Sequence, residues 1–167
     1  DQAIETITVF DCIFARAKYS RELNGVTPLM NKEERIHLLA GRHPFLPGEV
    51  VPLDFHLGET HRGLVITGAN AGGKTVVLKT VGLLTLMAMI GLQVPAKEGT
   101  ELAVFDQLFV DIGDQQNMED ALSTFSGHLK NISELLPQIK RHTLVLFDEI
   151  GSGTEPNEGA ALAVAIM

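Results

Sequence analysis

Leu64-Val65-Ile66-Thr67-Gly68-Ala69-Asn70-Ala71-Gly72-Gly73-Lys74-Thr75 is the stretch whose reading decides the fold. From Gly68 onward it fits G-x-x-x-x-G-K-[ST], a loop that wraps the phosphates of a nucleoside triphosphate when a strand enters it and a helix leaves it. Both flanks meet that condition. Residues 64–67 are a β-branched apolar run, and residues 74–90 are a long apolar segment free of proline. Gly68, Gly72 and Gly73 lack a Cβ, so the backbone can curl and turn successive N–H groups inward on an anion. Lys74 is then expected at the outer phosphates and Thr75 on Mg2+. The helix start near Gly73 adds the positive end of its dipole.

A second stretch completes the chemistry. Thr143-Leu144-Val145-Leu146-Phe147-Asp148-Glu149 reads as a buried strand ending in two carboxylates. Such an apolar run suits a parallel sheet covered on both faces, which binds ligands at the carboxyl ends of its strands. Asp148 is expected to hold Mg2+, and Glu149 to orient and deprotonate the attacking water. The order loop, helix, strand, carboxylates makes the pair informative where Asp-Glu alone is not.

Composition sets the bounds. The 167 residues make one ordinary domain with room for a core, and 45% hydrophobic content fits an α/β protein. Residues 81–90 are too short an apolar run to span a bilayer, and no signal segment is visible. One cysteine, Cys12, excludes an internal disulfide framework and points to a reducing, cytoplasmic setting. A net charge of −8 argues against this segment being a nucleic-acid surface by itself.

Around the two stretches, Ile4, Ile7, Phe10, Phe14 and Ala17 recur three or four apart, the stripe of an amphipathic helix that turn chemistry at Asn24-Gly25-Val26-Thr27-Pro28 ends. The chain starts without an initiator Met and stops inside an apolar run at Met167, so both ends read as cut. Residues 33–39 lead to a strand end before Arg42-His43-Pro44, and residues 50–57 read as a strand. Residues 105–112 are a further strand candidate. The polar run Gly113-Asp114-Gln115-Gln116-Asn117 suits either a loop near the nucleotide or a plain turn. Residues 122–136 read as a helix whose start gathers Ser123, Thr124, Ser126 and Gly127, either as capping chemistry or as an anion sensor. A turn over residues 150–158 and a small-residue helix over 159–167 follow.

Together these residues resemble the MutS superfamily of ATPases, and within it the type-2 (MutS2) branch. The resemblance rests on Arg42-His43-Pro44, the loop to Thr75, Ser123-Thr124-Phe125-Ser126, and Asp148-Glu149 with Gly151, Gly153 and Thr154, in that order. Glu155-Pro156 with residues 158–163, and the run 77–84, look like the type-2 branch in particular. The resemblance implies an α/β P-loop NTPase of the ABC-ATPase type, with a largely parallel sheet flanked by helices. Residues 1–24 would be a helix continuing from an adjoining domain, and residues 25–167 a truncated ATPase domain.

It further implies a homodimer that sandwiches ATP and Mg2+ in a composite site. Gly68, Ala69, Asn70, Ala71, Gly72, Gly73, Lys74, Thr75, Asp148 and Glu149 would serve one subunit's nucleotide. Ser123, Thr124, Ser126 and Gly127 would sense the γ-phosphate held by the other, and residues 151–154 would cross the interface. Ala69 replaces a common proline and restores an N–H donor. Val50 stands where mismatch-repair members place an aromatic against adenine, implying an apolar contact. Branched or mismatched DNA, and the ribosome, are the partners implied for regions outside this chain, with no membrane contact. The missing L-S-G-G-Q-type signature separates the chain from ABC transporters. A nucleotide-gated clamp, in which binding rather than turnover is the output, is the alternative reading.

Overall fold

The computed structural model describes residues 2–68, 73–112, 121–150 and 156–166, with the side chains of 121–126, 128 and 156 outside the description. The chain divides into two compact units, one of Asp1–Arg62 with Leu83–Val104 and one of Gly63–Gly82 with Phe105–Met167. Helix α2 (Lys74–Met89) starts in the second and ends in the first.

The first unit begins with helix α1 (Gln2–Leu23), which buries none of its residues. The expected helix is present, yet its apolar stripe faces solvent, with Ile7, Phe10 and Phe14 each about two-thirds exposed. Strands β1 (Leu29–Asn31), β2 (Ile36–Gly41), β3 (Leu53–Leu57) and β4 (Glu101–Ala103) form a sheet in the order β1-β4-β2-β3. Alternation along β2 explains its placement. Ile36, Leu38 and Ala40 are buried and His37 is exposed, the two-residue period of a strand with one covered face. Leu102, Val94, Ala96 and, from α2, Leu84, Met87 and Ala88 are also buried in this unit.

The turns of this sheet are specified by side chains. Asn31 Oδ1 accepts from the backbone N–H groups of Glu33 and Arg35, and its amide donates to the Arg35 carbonyl at 2.8 Å. That Asx-type arrangement carries Glu34 through a left-handed φ of 62°. Gly58 faces the same turn, with φ 95° and room for a Cβ only 2.2 Å from the Glu34 carbonyl oxygen, so glycine is required there. Further along β2, pairing with β3 shifts between Leu38 and Gly41. Asp54 Oδ1 accepts the Ala40 N–H at 2.7 Å and satisfies the bulge.

In the second unit β5 (Gln107–Asp111) and β6 (Thr143–Phe147) pair in parallel, Gln107 opposite Thr143 and Asp111 opposite Phe147. Helix α3 (Ala121–Leu135) and a 3-10 turn (Leu136–Gln138) lie between them in sequence. Helix α4 (Pro156–Ile166) begins at a proline, whose missing N–H costs nothing at a helix start. An ideal Cβ on Gly82 would lie 2.6 Å from Leu146 Cδ1, so α2 packs directly on β6.

Two expectations require correction. One largely parallel sheet was expected, but the four-stranded sheet is mixed: β1 and β4 are parallel, while β2 is antiparallel to both β3 and β4. The connection over residues 42–52 contains no helix, and a helix-free return suits antiparallel neighbours, whereas β5 and β6 are separated by the helical crossover that parallel pairing needs. Residues 64–67 form no strand, and Leu64 and Val65 are exposed. β propensity alone does not make a ladder without a paired neighbour. Among the described residues no helix is long and apolar enough to cross a membrane.

Candidate nucleotide site

The site is built at the start of α2 and the end of β6. Gly73 takes φ 77°, a left-handed turn open to glycine, and its carbonyl accepts the N–H of Val77, closing the first helical turn. Lys74 follows as the first residue of α2. Its Nζ donates to the Gly68 carbonyl at 2.7 Å. Backbone N–H groups at a helix start, with the positive end of its dipole, favour an anion there.

Thr75, one residue on, meets β6. Its Oγ1 donates to Asp148 Oδ2 at 2.5 Å, joining two residues far apart in sequence. Asp148 is buried, 8% exposed, and its N–H donates to the Asp111 carbonyl at 3.0 Å, extending the β5–β6 ladder beyond the strand end. A carboxyl group so buried needs a polar partner, and Thr75 supplies one. Hydroxyl and carboxylate oxygens are hard donors of the kind Mg2+ takes, so this pair fits that ion.

Glu149 differs from its neighbour in both respects. It is exposed, and its backbone takes φ 49°, a left-handed conformation costing about 1–2 kcal/mol for a residue with a Cβ. The turn sends Asp148 inward to Thr75 and leaves Glu149 at the surface, where water is available. Strain of this kind clusters at functional positions.

The sequence-derived residues divide accordingly. Gly68, Gly73, Lys74, Thr75, Asp148 and Glu149 lie in one unit, and the Lys74–Gly68 and Thr75–Asp148 bonds join four of them. Ala69, Asn70, Ala71 and Gly72, the polar run 113–117, and residues 151–154 lie outside the described residues. Ser123, Thr124 and Ser126 fall in the N-terminal part of α3, with their side chains outside the description. Val50, expected at the adenine, is half-buried in the 42–52 connection of the first unit. Sequence reasoning did not anticipate the Asp111 carbonyl as a partner of Asp148. Its only signal was the position of Asp111 at the end of an apolar run.

Comparison with known proteins bears on the family. A family model described as MutS domain V matches residues 64–167, the span from the loop to the end of the chain. The Endonuclease MutS2 of Alkaliphilus metalliredigens is 55% identical over 162 residues, which is 96% of this chain and 20% of that protein. Those of Halalkalibacterium halodurans and Alkaliphilus oremlandii are 52% and 56% identical, over 98% and 94% of this chain and 21% and 20% of theirs. This chain spans about one fifth of the length of the curated relatives it matches. On the loop, the Thr75–Asp148 pair and these likenesses, the chain belongs to the MutS superfamily, in its MutS2 branch.

Proposed function

We propose that this chain is the ATPase module of a MutS2 protein, cleaving ATP to ADP and phosphate. The observation that carries the reading is the hydrogen bond between Thr75 and Asp148, which brings the phosphate loop and the carboxylate strand to one point. On this reading the loop 68–75 and Lys74 bind the phosphates, and Lys74 neutralises charge developing on the leaving oxygens. Thr75 and Asp148 hold Mg2+, which when bound offsets phosphate charge. Glu149 orients the attacking water and accepts its proton. The relatives' name adds an endonuclease activity, which belongs on this reading to parts of those longer proteins that this chain does not span.

The finer reading is a homodimer with a composite site, in which the α3 start at Ser123, Thr124 and Ser126 reads the γ-phosphate held by the partner, and Val50 gives adenine an apolar contact. The longer protein would act in the cytoplasm on branched or mismatched DNA, suppressing recombination, or on stalled ribosomes. Support comes from the family likeness and from the position of 123–126 at the beginning of α3.

Two substitutions test the proposal. Lys74→Ala should abolish ATP binding measured by equilibrium titration, and unchanged affinity would refute the assignment. Glu149→Gln should preserve binding while reducing phosphate release by about two to four orders of magnitude, the range of a lost general base. Normal turnover in that variant would remove Glu149 from the chemistry. Wild-type binding with no turnover would favour the nucleotide-gated clamp.

A further inference from the structure

The first unit carries a pair of histidines that the nucleotide chemistry does not use. Register places His37 of β2 directly opposite His56 of β3. Residues opposed in an antiparallel ladder project from the same face, with Cβ atoms about 4.5–5.5 Å apart. Here that face is the open one: His37 and His56 are both exposed, while their neighbours Ile36 and Leu38 are buried beneath. Neither ring is committed to a hydrogen bond or ion pair among the described residues.

The surroundings favour a cation. Glu101 of β4 lies opposite His37 on its other side, and Asp54 lies two residues before His56 on the same face of β3. Both carboxylates already have partners. Glu101 Oε1 accepts from Arg35 at 2.8 and 3.2 Å, and Asp54 Oδ1 from the Ala40 N–H. Arg35 offsets the charge of Glu101, whereas the partner of Asp54 is an uncharged backbone N–H, so Asp54 supplies the negative potential on this face and the imidazoles remain the available ligands. No group of three or more metal-ligating side chains gathers among the described residues, so water would complete the coordination.

From the cross-strand register, the shared exposure and the uncommitted rings, we infer that His37 and His56 chelate one divalent transition metal ion of the zinc, nickel or copper class. Neutral imidazole suits these ions, whereas Mg2+ and Ca2+ take oxygen ligands. Imidazoles on directly opposed cross-strand positions can each bring a nitrogen to the roughly 2.0–2.1 Å that a common ion requires. An ion held this way clips β2 to the edge strand β3 and stabilises the folded state in proportion to its occupancy.

The test is calorimetric titration of the metal-free full chain with Zn2+, with Mg2+ as a control, on the unsubstituted protein and on His37→Asn, His56→Asn and His61→Asn. One Zn2+ per chain is expected, with affinity reduced roughly tenfold or more in each of the first two variants and unchanged in the third. Absence of Zn2+ binding, or binding that survives either of the first two substitutions, overturns the inference. Histidine Hε1 resonances of the unsubstituted protein give a reading independent of variant folding. Those of His37 and His56 should move together at substoichiometric Zn2+, and movement of only one would also overturn it.

Discussion

Helices α1 and α2 are both rich in apolar residues at helical spacing, yet α1 buries none of its residues and α2 buries one of its faces. In α2, Val81, Leu84, Thr85 and Ala88 fall at i, i+3, i+4 and i+7, and all are buried. In α1, Ile4, Ile7, Phe10 and Phe14 keep a similar spacing and are each about 64–69% exposed. Periodicity therefore predicts a helix and the face it could bury, but says nothing of what lies against that face. A direct consequence is that apolar side chains should carry stability in α2 and not in α1.

The largest effect is expected from Leu84→Ala. Leu84 is fully buried, so truncation removes transfer energy and leaves a cavity, about 2–5 kcal/mol of lost stability by denaturant titration. A loss below about 1 kcal/mol would show that burial in α2 is not tight packing, and the contrast with α1 would weaken.

Thr85→Val should act in the opposite direction. The Thr85 hydroxyl is buried with no hydrogen-bond partner among the described residues, whereas that of Thr80 on the same helix donates to the Val76 carbonyl at 2.6 Å. A methyl in place of the orphaned hydroxyl should raise stability by about 1–3 kcal/mol, the cost of leaving such a group unmade. A loss instead would reveal a partner for that oxygen.

A smaller change is expected at Gly82, where α2 meets β6. Alanine there gains about 1 kcal/mol of helix propensity and loses about 1–3 kcal/mol to contact with Leu146 Cδ1, the mobile end of a side chain. A net loss near 1 kcal/mol is expected, and it should disappear when Gly82→Ala is combined with Leu146→Val. Simple additivity in that double-mutant cycle would mean that the two residues do not touch.

The same contrast explains what could be read from the sequence. Helix α2, strand β6 and the position of Asp148–Glu149 at its end were legible because apolar runs and terminal carboxylates are local signals. Strands β1 and β4 were not, being three residues each and dependent on pairing Leu29 with Glu101 across most of the first unit. The mixed sheet order had the same origin. Residues 64–67 had strand composition without a paired neighbour. The left-handed backbone of Glu149 had no signal, since glycine or asparagine is the usual mark of such a turn.

The smallest expected effect is the most discriminating. Phe10 is 69% exposed in α1, whose residues are all outside the core. Exposed positions away from caps and cavities change stability by about 0.5 kcal/mol or less, so Phe10→Gln should leave the unfolding midpoint of the chain nearly unchanged. Glutamine is also a better helix former than phenylalanine, by a few tenths of a kcal/mol, so any shift should be slightly upward. The C-terminal end of α1 supplies the internal control. There Ser20 Oγ donates to Gln93 Oε1, the Gln93 amide donates to Thr27 Oγ1 at 2.9 Å, and the Gly25 N–H donates to the Ser20 carbonyl. Gln93→Ala, which cuts two of those bonds, should therefore cost about 1 kcal/mol or more. If Phe10→Gln costs more than Gln93→Ala, the apolar face of α1 is covered in solution, and the contrast between the two helices reduces to a difference in partner.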